Sequence, residues 1–373
     1  MASHGVPRYD ASSIPRSEES RQQEAKKIQK YKQLVELVRE KRANHEYTKD
    51  TLSTTSEVLS MNPEYYTVWN TRRLVLKQQF SEVDPEGRED NVRELIKAEL
   101  QFLFPLLRSH PKCYWVWNHR LWNLEQTTAL LPTSVSRKFW QEELALVGKM
   151  LSLDSRNFLG WGYRREVVAA LERLATKDDG AEGRSMAKDE FGYTSKMIGA
   201  NLSNFSAWHN RTQLILRMLN EQSASDGERK HMLVDGDTLS FAAILELKLL
   251  HRALIDPYDQ SLWFYHQNLI CCFDPTVASR SIAPNLTNTE RLEFLHKEVE
   301  AIMEVLDEVD DSKWVYQALI DCSTLIARIE GKTSAEAQKN LSGWLRQLKM
   351  LDPLRQGRWI DLERSLKLGT ASA

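Results

Sequence analysis

The amino-acid sequence predicts an all-α fold, in which about seven helical hairpins stack into an α-α superhelix, that is, a solenoid. Tryptophans recur at intervals of roughly 45–55 residues, which lies in the range of helical repeats. Apolar residues flank them at helical spacing, and no segment alternates apolar and polar residues like a half-buried strand. The tryptophans that mark the units are Trp69, Trp117, Trp161, Trp208, Trp263, Trp314 and Trp359.

Each unit is predicted to consist of a helix, a tight turn and a second helix. Seven residues before the tryptophan stands Asn, Asp or His, and in four units a proline follows. Proline at the first position of a helix loses no hydrogen bond, so we predict that the second helix begins there. These turn residues are Asn62, His110, Asp154, Asn201, Asp256, Asp307 and Asp352.

The residues that face the core of each hairpin are predicted from their distance to the tryptophan. At the position eleven residues before the tryptophan, six of the seven units carry an apolar side chain. The same holds for the position seven residues after it. Arg252 and Asp321 are the exceptions, and in the sixth unit the rule selects Met303. Positions that recur in this way lie on one face of a helix. A tryptophan repeated at such positions is typical of a core residue.

Composition and charge limit the domain organisation and the classes of function. The chain has 373 residues with 42% hydrophobic and 27% charged residues, and its net charge of −2 argues against nucleic-acid binding. We expect residues 1–20 to form a disordered tail and residues 21–373 to form the repeat domain, with an amphipathic helix at 21–45. Loops are predicted at 81–90, 175–184, 220–229 and 272–288. No signal sequence and no run of about 18 apolar residues is present, so we expect a cytoplasmic protein without a membrane span.

The cysteines give no indication of a metal site in this chain. Cys113, Cys271, Cys272 and Cys322 form no CxxC pair, and no histidines stand at ligand spacing from them. We therefore expect no bound metal and free thiols in a reducing compartment.

Arginines three residues after the tryptophan predict ion pairs between helices. Arg72, Arg120, Arg164 and Arg211 occupy this position, and His266 replaces them in the fifth unit. Glu99, Glu143 and Glu190 stand eighteen residues before their tryptophans, on the first helix of a hairpin. We expect ion pairing for Arg72, Arg164 and Arg211. His119, two residues after Trp117, is expected to be an exposed residue.

Five segments resemble the repeat of protein prenyltransferase α-subunits, which has the general form Asn/Asp-Pro-x-x-Tyr/Phe-x-x-Trp-x-x-Arg. They read NPEYYTVWNTRR, HPKCYWVWNHR, DSRNFLGWGYRR, NLSNFSAWHNR and DPYDQSLWFYHQ, while the units at Trp314 and Trp359 are degenerate. Within the family, the WNTRR of the first unit and the lysine-rich helix before it are similar to the α-subunit of Rab geranylgeranyltransferase, type II.

The resemblance implies a heterodimeric enzyme. The chain would pair with a β-subunit that holds the catalytic zinc and the lipid tunnel, and would bind no cofactor itself. The enzyme would transfer geranylgeranyl from geranylgeranyl diphosphate to C-terminal cysteines of a Rab GTPase, which a Rab escort protein presents.

The resemblance also implies a set of site residues. Lys112 stands at the family's diphosphate-contacting lysine, and we expect its charge to stabilise the leaving group. In the first turn of a helix it would oppose the helix dipole, an unfavourable place for a cation. Tyr114, Arg120, Asn157 and Trp161 fall on family positions near the active site at the subunit junction. Phe158 suits the type II subunit, whereas Leu159 removes a polar group found in the farnesyltransferase type.

Two alternatives stay open from the sequence. The chain could be the α-subunit shared by farnesyltransferase and geranylgeranyltransferase type I, or a non-enzymatic α-solenoid scaffold that binds peptides. A scaffold explains the tryptophans and turns equally well, but it gives no reason for a lysine at this position in the second unit alone.

Overall fold

The computed structural model of the protein describes residues 17–84, 86–175, 185–233 and 256–366. All regular elements in these ranges are helical, and the chain divides into two compact units, residues 1–185 and 186–373. The first unit contains α1 (Glu18–Ala43), α2 (Lys49–Met61), α3 (Tyr66–Ser81), α4 (Arg88–Ser109), α5 (Tyr114–Leu130), α6 (Thr133–Leu153) and α7 (Phe158–Arg173). The second contains α8 (Ala187–Ala200), α9 (Phe205–Glu221), α10 (Asp226–Leu233), α11 (Gln260–Ile270), α12 (Asn288–Glu308), α13 (Lys313–Glu330), α14 (Ala335–Leu351) and α15 (Gln356–Ser365).

Consecutive helices pair into antiparallel hairpins, with the repeated tryptophan on the second helix of each. In the first unit the pairs are α2 with α3, α4 with α5 and α6 with α7, and α1 packs against α2. In the second unit α8 pairs with α9, α12 with α13, and α14 with α15. The predicted all-α fold of repeated helical hairpins is therefore confirmed. Arg252, the exception to the apolar pattern, and residues 176–184 of the predicted loop at 175–184 lie outside the described residues.

Several predicted boundaries are wrong by a few residues. The first helix begins at Glu18, not at residue 21, because the Ser17 side chain caps it by accepting from the backbone N–H of Ser20 at 3.2 Å. The other residues of the predicted tail, 1–16, lie outside the described range. The predicted loop at 220–229 is partly helical, since α10 begins at Asp226.

The turn residues end the first helix of a hairpin and do not begin the second. The backbone N–H groups of Asn62, His110 and Asp154 bond to carbonyls one turn back in the preceding helix. The second helix of each of these hairpins starts four residues after the turn residue. In the first hairpin the Asn62 side chain stabilises the turn by accepting from the N–H of Glu64 at 3.1 Å. The prediction that Asn-Pro marks the first residues of the second helix is wrong.

The repeated tryptophans lock these turns. In five repeats the buried indole N–H donates to the backbone carbonyl six residues earlier, within the turn. The bonds run from Trp69 to Pro63 (2.8 Å), Trp117 to Pro111 (2.8 Å), Trp161 to Ser155 (2.9 Å), Trp208 to Leu202 (2.7 Å) and Trp263 to Pro257 (2.8 Å). The tryptophan thus fills the core and supplies a hydrogen-bond donor to a carbonyl of the turn.

The same carbonyl also receives a side chain from the following hairpin. The bonds are Cys113 Sγ to Pro63 (3.5 Å), Asn157 Nδ2 to Pro111 (2.8 Å) and Ser312 Oγ to Pro257 (2.8 Å). In the first two of these bonds the donor stands four residues before the tryptophan of its own repeat. One carbonyl in the turn therefore joins two neighbouring hairpins.

The sixth hairpin is centred on Tyr316 and not on Trp314. The Tyr316 hydroxyl donates to the carbonyl of Asp310, six residues earlier, at 2.8 Å, which reproduces the tryptophan bond of the other units. The inter-hairpin donor Ser312 also stands four residues before Tyr316. In consequence Asp307, the predicted turn residue, lies inside α12, and the buried residue there is Ile302 in place of Met303.

Candidate functional site

Lys112 lies in the turn between α4 and α5, two residues before α5 begins. Its side chain is 56% exposed, and its Nζ is 3.6 Å from Oδ2 of Asp154, which ends α6. The prediction that Lys112 lies in the first turn of a helix is therefore wrong. The unfavourable interaction with the helix dipole that was expected from that position does not apply. The contact with Asp154 is long and partly solvated, and a multiply charged anion could compete for the ammonium.

Aromatic rings surround the start of α5. Tyr114, the first residue of α5, is 52% exposed and meets the edge of Trp115 at 5.2 Å between ring centroids. Trp115 in turn contacts the ring of Tyr66, the first residue of α3, at 5.3 Å. Tyr66 and Phe158 are likewise exposed, and Phe158 is the first residue of α7. We call Tyr66, Tyr114, Trp115 and Phe158 the aromatic edge.

Sequence reasoning missed the aromatic edge although a signal for it was present. The first three repeats carry an aromatic residue three positions before the tryptophan, namely Tyr66, Tyr114 and Phe158. From the sequence alone such a recurrence predicts packing, because a large aromatic side chain is usually buried. Exposed aromatic rings at the same point of three successive hairpins instead mark a surface suited to contact with another molecule.

Arg120 is part of a buried ion pair. It is 3% exposed, and its Nε and Nη2 donate to the two carboxylate oxygens of Glu143 at 2.5 and 2.8 Å. Its Nη1 donates to the carbonyl of Leu100 at 3.0 Å, and the hydroxyl of Tyr163 donates to Glu143 at 2.7 Å. Burial and the neighbouring carboxylate raise the pKa of Tyr163 well above its usual value. All three nitrogens of this guanidinium therefore donate to acceptors of the protein itself.

Asn157 and Trp161 also lie inside the protein. Asn157 is 4% exposed, and its Oδ1 caps α7 by accepting from the N–H groups of Leu159 and Gly160 at 3.1 and 3.2 Å. Its Nδ2 donates to the carbonyl of Pro111 in the turn of the preceding hairpin, as described above. Trp161 is buried and bonds to its own turn. Of the predicted site residues, the structure therefore exposes Lys112 and Tyr114 and buries Arg120, Asn157 and Trp161.

A second buried cluster contains Arg72, Glu99 and His119. Arg72 donates to both oxygens of Glu99 at 2.7 Å, which confirms the predicted pairing for this arginine. Arg164 and Arg211 are buried as well, and Arg211 donates to Ser195 at 2.8 Å.

His119 is fully buried, so its predicted exposure is wrong. Its Nε2 lies 2.8 Å from Glu99, and its Nδ1 accepts from Arg73 at 3.3 Å. This arrangement fits a neutral imidazole, and burial lowers the pKa of His119 against the opposing effect of Glu99. Burial alone would raise the pKa of Glu99, but the bond with His119 and the charge of Arg72 lower it to about 2.

The described part of the chain does not offer a metal-binding cluster. No group of three or more His, Cys, Asp or Glu side chains in residues 17–84, 86–175, 185–233 and 256–366 could hold a metal ion. The thiols of Cys113, Cys272 and Cys322 are buried, and burial raises the pKa of each above its usual value. Among the same residues, no helix is long and apolar enough to cross a bilayer.

Comparisons with known proteins find similarity over most of the chain. The protein prenyltransferase alpha subunit repeat matches residues 48–79, 96–127, 140–171 and 187–218, which cover the first four hairpins. The fold resembles a chain of Candida albicans protein geranylgeranyltransferase-I complexed with GGPP, with a TM-score of 0.59 at 19% identity over 91% of each chain.

Relatives of similar length share about a third of their residues with this chain. The geranylgeranyl transferase type-2 subunit alpha of Candida albicans is 33% identical over 96% of both chains. That of Saccharomyces cerevisiae is 34% identical over 92% of this chain and 94% of its own length. The Bos taurus subunit is 35% identical over 71% of this chain, which spans 41% of that longer protein. The chain belongs to the protein prenyltransferase alpha subunit family, with the geranylgeranyl transferase type-2 alpha subunits.

Proposed function

We propose that the chain is the α-subunit of a heterodimeric Rab geranylgeranyltransferase, the type 2 enzyme. The observation that carries this proposal is the identity of 33–34% with type-2 alpha subunits over nearly the full length of both chains. The enzyme transfers geranylgeranyl from geranylgeranyl diphosphate to C-terminal cysteines of a Rab GTPase in the cytoplasm, and a Rab escort protein presents that substrate.

The aromatic edge supports a role in binding a β-subunit. Its rings Tyr66, Tyr114 and Phe158 are 53%, 52% and 72% exposed, although burying such a ring is worth a few kcal/mol. Aromatic side chains are enriched in the central parts of protein interfaces. A β-subunit that covers this edge would bring its active site beside Lys112, which lies in the turn immediately before Tyr114.

The β-subunit is proposed to hold the catalytic zinc and the lipid tunnel. The donor set described for this chain does not fit a zinc site, since its cysteines are dispersed and mostly buried. This chain contributes instead the helical scaffold and side chains at the subunit junction.

Lys112 has the chemistry required at the leaving group. In the transfer, the cysteine sulfur forms a bond to C1 of the prenyl chain, and the bond from C1 to the diphosphate oxygen breaks with its electron pair. Negative charge grows on the diphosphate as this bond breaks. The Lys112 ammonium, exposed and only loosely paired with Asp154, would donate hydrogen bonds to those oxygens and stabilise the transition state. Tyr114 would border the same space, while Arg120, Asn157 and Trp161 support it through packing.

Co-expression with a type-2 β-subunit tests the proposed function. We expect the two chains to purify as a heterodimer that modifies a Rab in the presence of escort protein, and we expect no activity from either chain alone. Geranylgeranyl diphosphate should be used in preference to farnesyl diphosphate. A heterodimer that modifies CaaX-ending proteins without escort protein would identify the subunit shared with farnesyltransferase, and a stable monomer that binds no β-subunit would support the scaffold.

A further inference from the structure

The carboxylate of Asp154 faces the Lys112 ammonium across two neighbouring turns. Lys112 lies in the turn of the second hairpin, and Asp154 ends α6 in the third, where its backbone N–H bonds to the carbonyl of Met150. Lys112 Nζ is 3.6 Å from Asp154 Oδ2, and the two side chains are 56% and 28% exposed. The pair therefore lies at the surface of the first unit, where an anion can reach it.

The hydrogen bonds of the turns fix the Asp154 carboxylate more firmly than the lysine. The backbone N–H of Asn157 donates to the carbonyl of Asp154 at 3.2 Å, and its side chain donates to the carbonyl of Pro111 at 2.8 Å. These two bonds join the turn that carries Asp154 to the turn that carries Lys112. Asp154 has a short side chain on this connected backbone, whereas Lys112 holds its charge on a flexible four-carbon stem. In the empty site, Asp154 therefore sets where the ammonium lies.

The charge of Asp154 opposes the binding of an anion at Lys112. An ammonium beside a carboxylate attracts diphosphate less than a free ammonium does, because the carboxylate repels the same anion. The diphosphate of a bound lipid must therefore draw the ammonium away from Asp154. The contact is long and exposed, so this exchange of partners costs little.

We propose that Asp154 is a positioning residue that sets the affinity of the site for diphosphate through Lys112. When the lipid binds, the ammonium turns from Asp154 to the diphosphate oxygens. Once the bond from C1 to the diphosphate oxygen has broken, Asp154 competes for the ammonium and so weakens the hold on the released diphosphate. This inference rests on the proposed function, because it takes Lys112 as the residue that contacts the leaving group.

Asp154→Asn removes the charge and keeps the shape of the side chain. The first and fourth repeats carry Asn62 and Asn201 at the equivalent position, so an amide fits a turn of this kind. In the heterodimer, we expect the inhibition constant of inorganic pyrophosphate in prenyl transfer to fall by about two- to fivefold, which corresponds to the usual strength of an exposed ion pair. A loosened turn would instead weaken pyrophosphate binding, so the direction of the change separates a role in positioning from a merely structural one.

Two controls assign the effect to the pair of Lys112 and Asp154. Glu142→Gln removes an equal charge from an exposed position on α6 and should leave the inhibition constant at the parent value. In a Lys112→Met background, Asp154→Asn should change the constant less than it does in the parent, because the residue through which it acts is missing. Thermal melts of each heterodimer establish that the variants fold and assemble.

The parent heterodimer distinguishes failure of this inference from failure of the proposed function. Absence of prenyl transfer by the parent would refute the function and the inference with it. With an active parent, the role of Asp154 alone would be overturned if pyrophosphate did not inhibit folded Asp154→Asn, or if its inhibition constant were equal to or higher than that of the parent. An equal decrease in Glu142→Gln, or an undiminished effect in the Lys112→Met background, would overturn it as well.

Discussion

The side-chain amide of Asn157 donates to the carbonyl of Pro111 at 2.8 Å, and the indole of Trp117 donates to the same oxygen. This carbonyl therefore connects the turn of the second hairpin to its own core and to the third hairpin. In an array of repeats, stability depends on such nearest-neighbour contacts, so losing one weakens two units at once. Asn157, which the resemblance predicts to lie near the active site, thus joins two hairpins in this structure.

Asn157→Ala is expected to destabilise the chain. The change removes the bond to Pro111 and the cap of α7, and each loss costs roughly 1 kcal/mol, or more where a buried carbonyl loses a partner. We expect a decrease of about 2–3 kcal/mol in the free energy of unfolding, measured by urea titration. The exposed neighbour Arg156 provides the control, since Arg156→Ala should leave the midpoint nearly unchanged. An Asn157→Ala chain of normal stability would contradict this assignment.

Because Arg120 and Glu143 form a buried ion pair, we expect a second substitution at Glu143 to restore part of the stability that is lost when Arg120 is replaced. Arg120→Met leaves the Glu143 carboxylate buried without its cation, which costs about 3–5 kcal/mol. Adding Glu143→Gln removes that charge and keeps an acceptor for Tyr163, so the double variant should unfold at higher urea concentration than Arg120→Met alone. Equilibrium unfolding of the four proteins in the cycle measures this coupling. If Arg120 acted only on substrate, Arg120→Met would slow prenyl transfer and leave the unfolding curve in place.

The buried cluster of Glu99 and His119 predicts how stability varies with pH. Burial lowers the pKa of His119 in the folded chain, so below about pH 6.5 the unfolded chain takes up a proton that the folded chain does not. Stability is then fully present above pH 6.5 and falls as the pH decreases, by up to about 1.4 kcal/mol per pH unit. The pKa of Glu99 is lowered to about 2, so its contribution is lost separately as the pH falls from about 4.5 towards 2.

His119→Gln separates the two phases. Glutamine keeps an N–H that can bond to Glu99 but does not titrate, so the loss of stability between pH 6.5 and 5 should become shallower. The decrease below pH 4.5 should remain. Chemical denaturation at several pH values measures both, and His209→Gln, at an exposed position, should preserve the original profile. An identical slope in His119→Gln and the parent chain would exclude His119 as the source.

The sixth hairpin predicts a cost for losing a single hydroxyl. Tyr316→Phe removes the bond to the carbonyl of Asp310, which replaces the tryptophan bond of the first five hairpins. We expect about 1 kcal/mol of destabilisation, the usual net value of one such bond. Tyr258→Phe also loses a hydroxyl bond, to Asp311, but at an exposed position, so it should have little effect. Equal unfolding midpoints for Tyr316→Phe and the parent chain would show that this bond does not hold the turn.

The spacing of the tryptophans was sufficient to predict the fold because a buried indole at one place in each hairpin constrains both helices. The boundaries were less predictable. Asn62 followed by Pro63 is compatible with the end of one helix or the start of the next, and the choice depends on where the Pro63 carbonyl bonds. In the sixth hairpin the residue that bonds to the turn is Tyr316, two positions after Trp314. The sequence did not indicate this displacement, because a tyrosine hydroxyl replaces the indole N–H and a tryptophan still stands close to the expected position.

The candidate site could be predicted only in part. Lys112 was identified from the resemblance to the prenyltransferase family, and the structure places it in an exposed turn. Arg120 follows the pattern of the repeat and Asn157 was assigned from the resemblance alone, so the sequence could not separate a role in packing from a role near substrate. His119 looked exposed from its position relative to Trp117, because the sequence does not reveal that Glu99 of the preceding helix lies against it.

Lys112→Ala is expected to slow the chemical step and leave the fold intact. The side chain is more than half exposed, and its contact with Asp154 is long, so its loss should change the free energy of unfolding by less than about 0.5 kcal/mol. If its charge stabilises the leaving diphosphate, the single-turnover rate with saturating lipid should fall by about 10²–10³, the usual effect of removing one preorganised donor.

Two further variants distinguish a local charge effect at the leaving group from a general effect of surface charge. Lys112→Arg should restore only part of the rate, because a guanidinium presents its donors in a different geometry and at a different reach. Lys149→Ala removes an equal charge from an exposed position on α6 and should leave the rate unchanged. The rates are compared in heterodimers with matching thermal melts, so that assembly is not the variable. A cation that touches the departing diphosphate cannot be removed without raising the barrier to bond cleavage. A single-turnover rate in Lys112→Ala equal to that of the parent would therefore show that Lys112 is an ordinary solvated surface residue.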